Sequence, residues 1–81
     1  MDIKTVLEAT PSTEPSSFNE FCRALGSDCP ERGERDDWAE LFDCIKAAEN
    51  LDLIEVERVN GKIDTLILTE AGVARIKELR R

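Results

Sequence analysis

The dipeptide Asn60-Gly61 is the feature that most constrains how this chain folds. Both residue types tolerate positive φ, which a type I′ turn requires at its two central positions, so the pair predicts a two-residue hairpin loop. The sequence before it, residues 54–57, alternates apolar and acidic side chains, and a second strand-like run covers residues 62–68. We therefore expect an antiparallel β-hairpin in the C-terminal half of the chain.

The length of this loop also predicts the register of the two strands. Without an irregularity, Val56 pairs with Thr65, and Glu57 lies directly opposite Asp64. Like charges in that arrangement are mildly destabilising. The register places four apolar side chains on one face of the hairpin: Ile54, Val56, Ile63 and Ile67.

Apolar residues at helical spacing predict three helices before the hairpin and one after it. The first lies within residues 1–9. The second begins at Ser17, whose hydroxyl can cap it, and ends at Gly26 in a left-handed conformation. The fourth follows the hairpin and is capped by Thr69.

The third helix is expected to begin at Asp37 as its cap and to run to about residue 50. Glu40 stands three residues after Asp37, which is the spacing of a capping box. The stripe that the spacing predicts to be buried consists of Trp38, Leu41, Phe42, Ile45 and Ala48.

Composition limits the function classes. The chain has 81 residues, a formal net charge of −7 and no histidine, so we expect one domain covering residues 1–81 with no metal, no cofactor and no enzymatic activity. The three cysteines show no metal-ligand spacing. Their odd number, with no secretory or membrane-spanning segment, predicts a cytoplasmic protein without a membrane partner.

The order of these elements resembles the winged helix-turn-helix superfamily. Three segments carry the resemblance: Ser17-x-x-Glu20-Phe21, residues 41–54, and Leu68-Thr69-Glu70-Ala71-Gly72, which is similar to the Leu-Thr-x-x-Gly that commonly follows the wing. The resemblance implies an α+β, mostly helical fold with three helices, a two-stranded antiparallel wing and a C-terminal helix. It also implies DNA binding through the third helix and the wing.

The chain departs from this family in two respects. The connection between the second and third helices, residues 27–36, is longer than the three or four residues of the DNA-reading turn. In addition, residues 1–50 hold five basic and twelve acidic residues, whereas residues 51–81 hold six of each. The helix that would read DNA is therefore acidic, and carboxylates facing phosphates oppose binding. A smaller departure is Asp52, which stands where the family has Gly and which can also adopt a left-handed conformation.

These departures predict a small acidic protein that binds a basic protein partner. One version is an inhibitor of the phage or mobile-element type that covers a basic nucleic-acid-binding surface. The expected acidic surface consists of Asp36, Asp37, Glu40, Asp43, Glu55, Glu57 and Asp64.

Two alternatives remain open at this stage. The acidic residues can be a solvated face that favours a helix N-terminus. Alternatively, the protein is a DNA-binding regulator, acting as a monomer or homodimer, which contacts DNA through Arg32, Arg35, Lys46, Arg58 and Lys62.

Overall fold

A computed structural model describes residues 1–80 and places four α-helices around a small antiparallel sheet; Arg81, the last residue of the expected domain, lies outside the described residues. The sheet order is β1-β3-β2. The elements are α1 (Ile3–Ala9), β1 (Ser16–Ser17), α2 (Phe18–Leu25), a 3-10 turn (Gly26–Asp28), α3 (Arg35–Asn50), β2 (Ile54–Val59), β3 (Lys62–Leu68) and α4 (Glu70–Leu79). The mixed α+β class is confirmed, whereas the expected two-stranded sheet is wrong, because Ser16 and Ser17 pair with β3 as a third strand.

Hydroxyl side chains begin α2 and α4 as predicted. The Ser17 Oγ accepts a hydrogen bond from the Glu20 amide at 3.2 Å, and the Thr69 Oγ1 accepts one from the Gly72 amide at 3.1 Å. Each bond satisfies an amide that has no partner within its own helix. At the other end of α2, Gly26 is the C-cap, so the predicted position of the glycine stop is confirmed; its φ is +58°, but its ψ of −124° lies outside the left-handed helical region.

The expected start of α3 at Asp37 is wrong. The helix begins at Arg35, with Glu34 in the N-cap position and no side-chain cap. The reason is a turn immediately before the helix, in which the Glu34 amide donates to the Glu31 carbonyl and the Glu34 carboxylate accepts from the Glu31 amide. Because this turn already directs the chain into the helix, Asp37 lies in the first turn instead of preceding it.

The hairpin turn has the predicted conformation, but the register beyond it changes. Asn60 and Gly61 have φ values of 53° and 78°. A bulge then separates the pair Arg58–Ile63 from the pair Glu57–Thr65, leaving Asp64 as the extra residue. The predicted opposition of Glu57 and Asp64 is therefore wrong, and the Thr65 hydroxyl instead approaches the Glu57 carboxylate at 3.4 Å.

This bulge changes which β3 side chains face the core. Leu66 and Leu68 are buried, whereas Ile67, predicted to be inward, pairs with Glu55 and is only partly buried. One extra residue moves each later side chain of the strand to the opposite face of the sheet from the one predicted, because side chains alternate with a period of two. The other three residues predicted to face inward, Ile54, Val56 and Ile63, do lie on the inner face of the sheet.

The core forms where α1, α2 and α3 meet the inner face of the sheet, and α4 closes it. Its most deeply buried side chains are Val6, Leu7, Phe21, Leu41, Ile45, Ile54 and Leu66. The predicted stripe of α3 is only partly correct, since Leu41, Ile45 and Ala48 are buried but Phe42 is 43% exposed. The buried stripe is narrower than predicted because the hairpin does not cover the flank of α3 on which Phe42 lies.

Candidate functional site

The acidic surface of α3, defined as Asp36, Asp37, Glu40 and Asp43, is exposed along its length. Asp37 and Glu40 also line a cavity of about 270 Å³ at the start of the helix. Two further acidic residues, Asp28 and Glu34, line the same cavity. The long connection before α3 therefore adds carboxylates to those that the sequence predicted on the helix.

Carboxylates at the start of α3 are close enough to perturb one another. The pKa of Asp37 is raised, chiefly by a hydrogen bond to the Glu34 carboxyl and by the negative charge of Glu34, with smaller contributions from burial and Glu40. Such a shift means that the fold disfavours the ionised form of Asp37.

One cation lies at the edge of this cavity. The N-terminal ammonium of Met1 donates a hydrogen bond to the Glu40 Oε1 at 2.9 Å. This contact raises the pKa of the N-terminal amine. Asp36 and Asp43 have no ion-pair partner within 4.0 Å among residues 1–80.

The three predicted acidic residues of the hairpin do not join this surface. Glu55 and Glu57 alternate along β2 with Ile54 and Val56, which face the core, so the two carboxylates lie on the opposite face of the sheet. Asp64 is exposed at the bulge. The hairpin therefore presents exposed carboxylates, and Glu57 pairs with Thr65 where Asp64 was expected.

The structure does bring together three of the five predicted cationic residues. Lys46, Arg58 and Lys62 line a groove of about 560 Å³ between α3 and the hairpin. Arg32 lies in the connection before α3, and Arg35 is the first residue of that helix. Neither lines the groove, so the cations do not form one continuous strip.

Arg58 is already engaged within the chain. Its Nη1 donates to the Glu49 Oε2 at 2.9 Å and its Nη2 donates to the Glu49 Oε1 at 2.8 Å. The hydrogen bond from Arg58 lowers the pKa of Glu49, and the same contact raises the pKa of Arg58. This two-point contact joins the hairpin to α3 and occupies the guanidinium that the DNA-binding alternative requires.

The floor of the groove is apolar, which the sequence did not indicate. It is lined by Phe18, Phe42, Ile45 and Ile63. The Phe42 ring packs against Phe18 at 5.9 Å and against Trp38 at 6.1 Å between ring centroids. Clustering of the four aromatic residues within two helices was the available signal, but their spacing alone did not show which ring would be exposed.

The thiol of Cys22 is not activated for reaction. All three cysteines are free and half-buried. Burial is the main cause that raises the pKa of Cys22 to about 11, and the neighbouring Cys29 adds to it. A thiol with that pKa is almost entirely protonated near neutral pH, so Cys22 is a poor nucleophile.

Within residues 1–80 no group of three or more acidic or cysteine side chains is arranged to hold a metal ion. In the same range, every helix is too short or too polar to cross a bilayer. Comparison with protein-family models, curated proteins and solved structures finds no match to this chain. The acidic surface of α3, the groove between α3 and the hairpin, and the charges of both are therefore the basis for assigning a function.

Proposed function

We propose that this protein is a non-enzymatic binding protein whose acidic surface of α3 attaches to a basic surface of another protein. The observation that carries this proposal is the crowding of carboxylates at the start of α3. Glu34 and Asp37 line the same cavity, and Glu34 raises the pKa of Asp37, so that the ionised form of Asp37 is disfavoured. A lysine or arginine side chain from a partner relieves that repulsion when it enters the adjoining cavity.

The distribution of charge supports the same proposal. A helix of 16 residues is ~24 Å long, and Asp36 and Asp43 are exposed on it without an ion-pair partner among residues 1–80. A row of carboxylates of this kind attracts a basic protein during its approach and weakens the complex when salt is added. A basic nucleic-acid-binding surface fits this description, and covering it makes the protein an inhibitor.

The proposed architecture is an acidic member of the winged-helix type. Support comes from the order of α2, α3, hairpin and α4, and from Asp52, which has a φ of 59° at the position where the family has Gly. DNA reading by the same architecture is less well supported. Arg58 is engaged by Glu49, and Asp43 lies beside Lys46 in the groove.

Fluorescence polarisation with a labelled arginine peptide tests this function at about 50 mM salt, where the Debye length is still above 10 Å. The test variant is Asp37→Lys/Glu40→Lys, which changes two carboxylates of the cavity and no residue that lines the groove between α3 and the hairpin. The matched control, Glu14→Lys/Glu78→Lys, makes the same change in net charge at exposed positions outside α3. We expect the test variant to weaken binding at least about tenfold and the control less than about threefold.

A labelled DNA duplex is the second probe in the same assay. Equal losses of affinity for the arginine peptide in the test and control variants would show that only net charge matters, and would contradict a defined surface on α3. Tight duplex binding by the unmodified protein, weakening steeply with salt, would replace this function with the DNA-binding alternative. Circular dichroism of both variants checks that the helical fold is retained.

A further inference from the structure

The groove between α3 and the hairpin has a chemistry opposite to that of the acidic surface. Its floor contains the aromatic ring of Phe42, which is 43% exposed although it packs against Phe18 and Trp38. Ile45 and Ile63 continue the apolar floor. A large aromatic side chain that remains exposed inside a concave surface is available to contact another molecule.

The charges around this floor are mainly positive. Lys46 and Lys62 line the groove, and neither makes an ion pair with another residue in the range 1–80. Arg58 is neutralised by Glu49, which leaves Asp43 as the one acidic residue that lines the groove. A chain with a net charge of −7 therefore has a local excess of positive charge at its exposed apolar groove.

We propose that this groove binds a segment of a partner protein that presents a large apolar side chain between carboxylates. The apolar side chain packs on Phe42 and removes that ring from water. The carboxylates on either side pair with the ammonium groups of Lys46 and Lys62. This site goes beyond the function proposed above, because it recognises an acidic segment and not a basic surface; Asp43 is the one residue that belongs to both the acidic surface of α3 and the groove.

Charge complementarity distinguishes this occupant from a nucleic acid. A strand of nucleic acid brings a phosphate at every nucleotide and depends on several neighbouring cations. Here the Arg58 guanidinium is occupied and the Asp43 carboxylate lies among the lysines. A peptide can place its carboxylates at the two lysines alone and leave Asp43 in water.

The volume of the groove agrees with a short segment. About 560 Å³ is available, which lies within the range of roughly 300–1,000 Å³ found for pockets that enclose compact ligands. Arg58 lines the groove and is held against α3 by its ion pair with Glu49, so this side of the groove is fixed before a ligand arrives. A preformed site reduces the entropy cost of binding.

The probe for this proposal is a labelled synthetic peptide in which phenylalanine and leucine alternate with aspartate. A control peptide has lysine in place of every aspartate. The charge variant is Lys46→Gln/Lys62→Gln, and its matched control is Lys4→Gln/Lys77→Gln, at two exposed lysines outside the groove. The apolar variant is Phe42→Ala, and its control is Leu51→Ala, which truncates a side chain that is 57% exposed.

We expect the aspartate peptide to bind the unmodified protein and the lysine peptide not to bind in the groove. Lys46→Gln/Lys62→Gln and Phe42→Ala should each weaken binding about fivefold or more, and the two controls less than about twofold. Peptide-induced shifts in the amide spectrum should be concentrated on α3 and the hairpin. Retained chemical-shift dispersion in each variant shows that it is folded.

Four outcomes overturn the proposal. The first is the absence of saturable binding by the aspartate peptide, and the second is equal loss in the groove variants and their controls. The third is binding of an oligonucleotide, but not of the aspartate peptide, at residues of the groove. The fourth is self-association of the protein that Phe42→Ala abolishes, since a second copy would then occupy the groove. None of the variants in this test changes a residue of the acidic surface of α3, so this proposal and the proposed function can fail separately.

Discussion

The guanidinium of Arg58 donates two hydrogen bonds to the carboxylate of Glu49, and this pair joins the hairpin to α3 across one side of an exposed apolar groove. Arg58 reaches the helix because it pairs with Ile63 beside the bulge and lies on the same face of β2 as Val56. The groove therefore depends on a contact between residues nine positions apart in the sequence.

A double-mutant cycle on this pair should show measurable coupling. We expect Arg58→Ala, Glu49→Ala and the double variant to give a coupling free energy of about 0.5–1 kcal/mol in urea unfolding at pH 7, because both groups are partly exposed. Arg58 lowers the pKa of Glu49 from its ordinary 4.5, so this stability is present above that pH and is lost as the pH falls through the folded-state pKa. Coupling that is unchanged well below pH 4 would contradict an ionic contact.

Neutralising Asp37 should stabilise the protein at neutral pH. The folded-state pKa of Asp37 is raised from its ordinary 3.8 by Glu34. The protonated carboxyl of Asp37 therefore contributes its full stabilisation below pH 3.8, and this stabilisation is lost as the pH rises through the folded-state pKa. Asp37→Asn should therefore raise the melting temperature at pH 7, and the gain should disappear in acid. Glu34→Gln should raise the melting temperature at pH 7 by a similar amount, and the double variant should not raise it further. Additive gains would show that the two carboxyl groups do not interact.

Replacing Gly72 by alanine should destabilise the fold. A β-carbon at this buried position in α4 would overlap the backbone carbonyl oxygen of Leu53, which already accepts a hydrogen bond from the Thr69 amide. We expect a loss of about 2–3 kcal/mol in the free energy of unfolding, since backbone must move to make room. Ala74→Gly, at an exposed position of the same helix, is the control and should cost ~1 kcal/mol from helix propensity alone. A smaller loss for Gly72→Ala than for this control would mean that α4 does not approach Leu53 so closely.

Ser16→Ala should stabilise the protein slightly. The Ser16 hydroxyl is buried in the short strand β1 and has no hydrogen-bond partner in residues 1–80. Removing an unsatisfied buried hydroxyl should increase the free energy of unfolding by ~1 kcal/mol. Ser12→Ala, at an exposed position in the preceding loop, should change stability by less than about 0.5 kcal/mol. Destabilisation by Ser16→Ala would show that this hydroxyl does have a partner.

Local chemistry made several features of the fold predictable. Asn60-Gly61 adopts positive φ, Asp52 does so at the end of α3, and Ser17 and Thr69 cap their helices. Each of these depends on one side chain and a backbone group within three residues. The bulge at Asp64 and the start of α3 at Arg35 were not predictable in the same way, because several registers and several caps satisfy the local pattern equally well.

The candidate sites also combine features that the sequence predicted with features that it did not. The residue types on α3 indicated an acidic surface, and the structure adds Asp28 and Glu34 to its cavity. The sequence named five cationic residues as one set of DNA contacts, whereas in the structure Lys46, Arg58 and Lys62 lie together and Arg32 and Arg35 lie elsewhere. Phe42 was expected in the core, and only the position of the hairpin leaves it exposed on the floor of a groove.

The sequence by itself therefore determined the order of the helices, the hairpin turn and the negative charge of α3, because these depend on neighbours along the chain. Tertiary structure decided which side chains share a surface, because one bulge changes the face of the β3 residues beyond it and one ion pair holds the hairpin against α3. Packing of the hairpin beside α3 also leaves an apolar groove, lined by Lys46 and Lys62, in a protein of net charge −7.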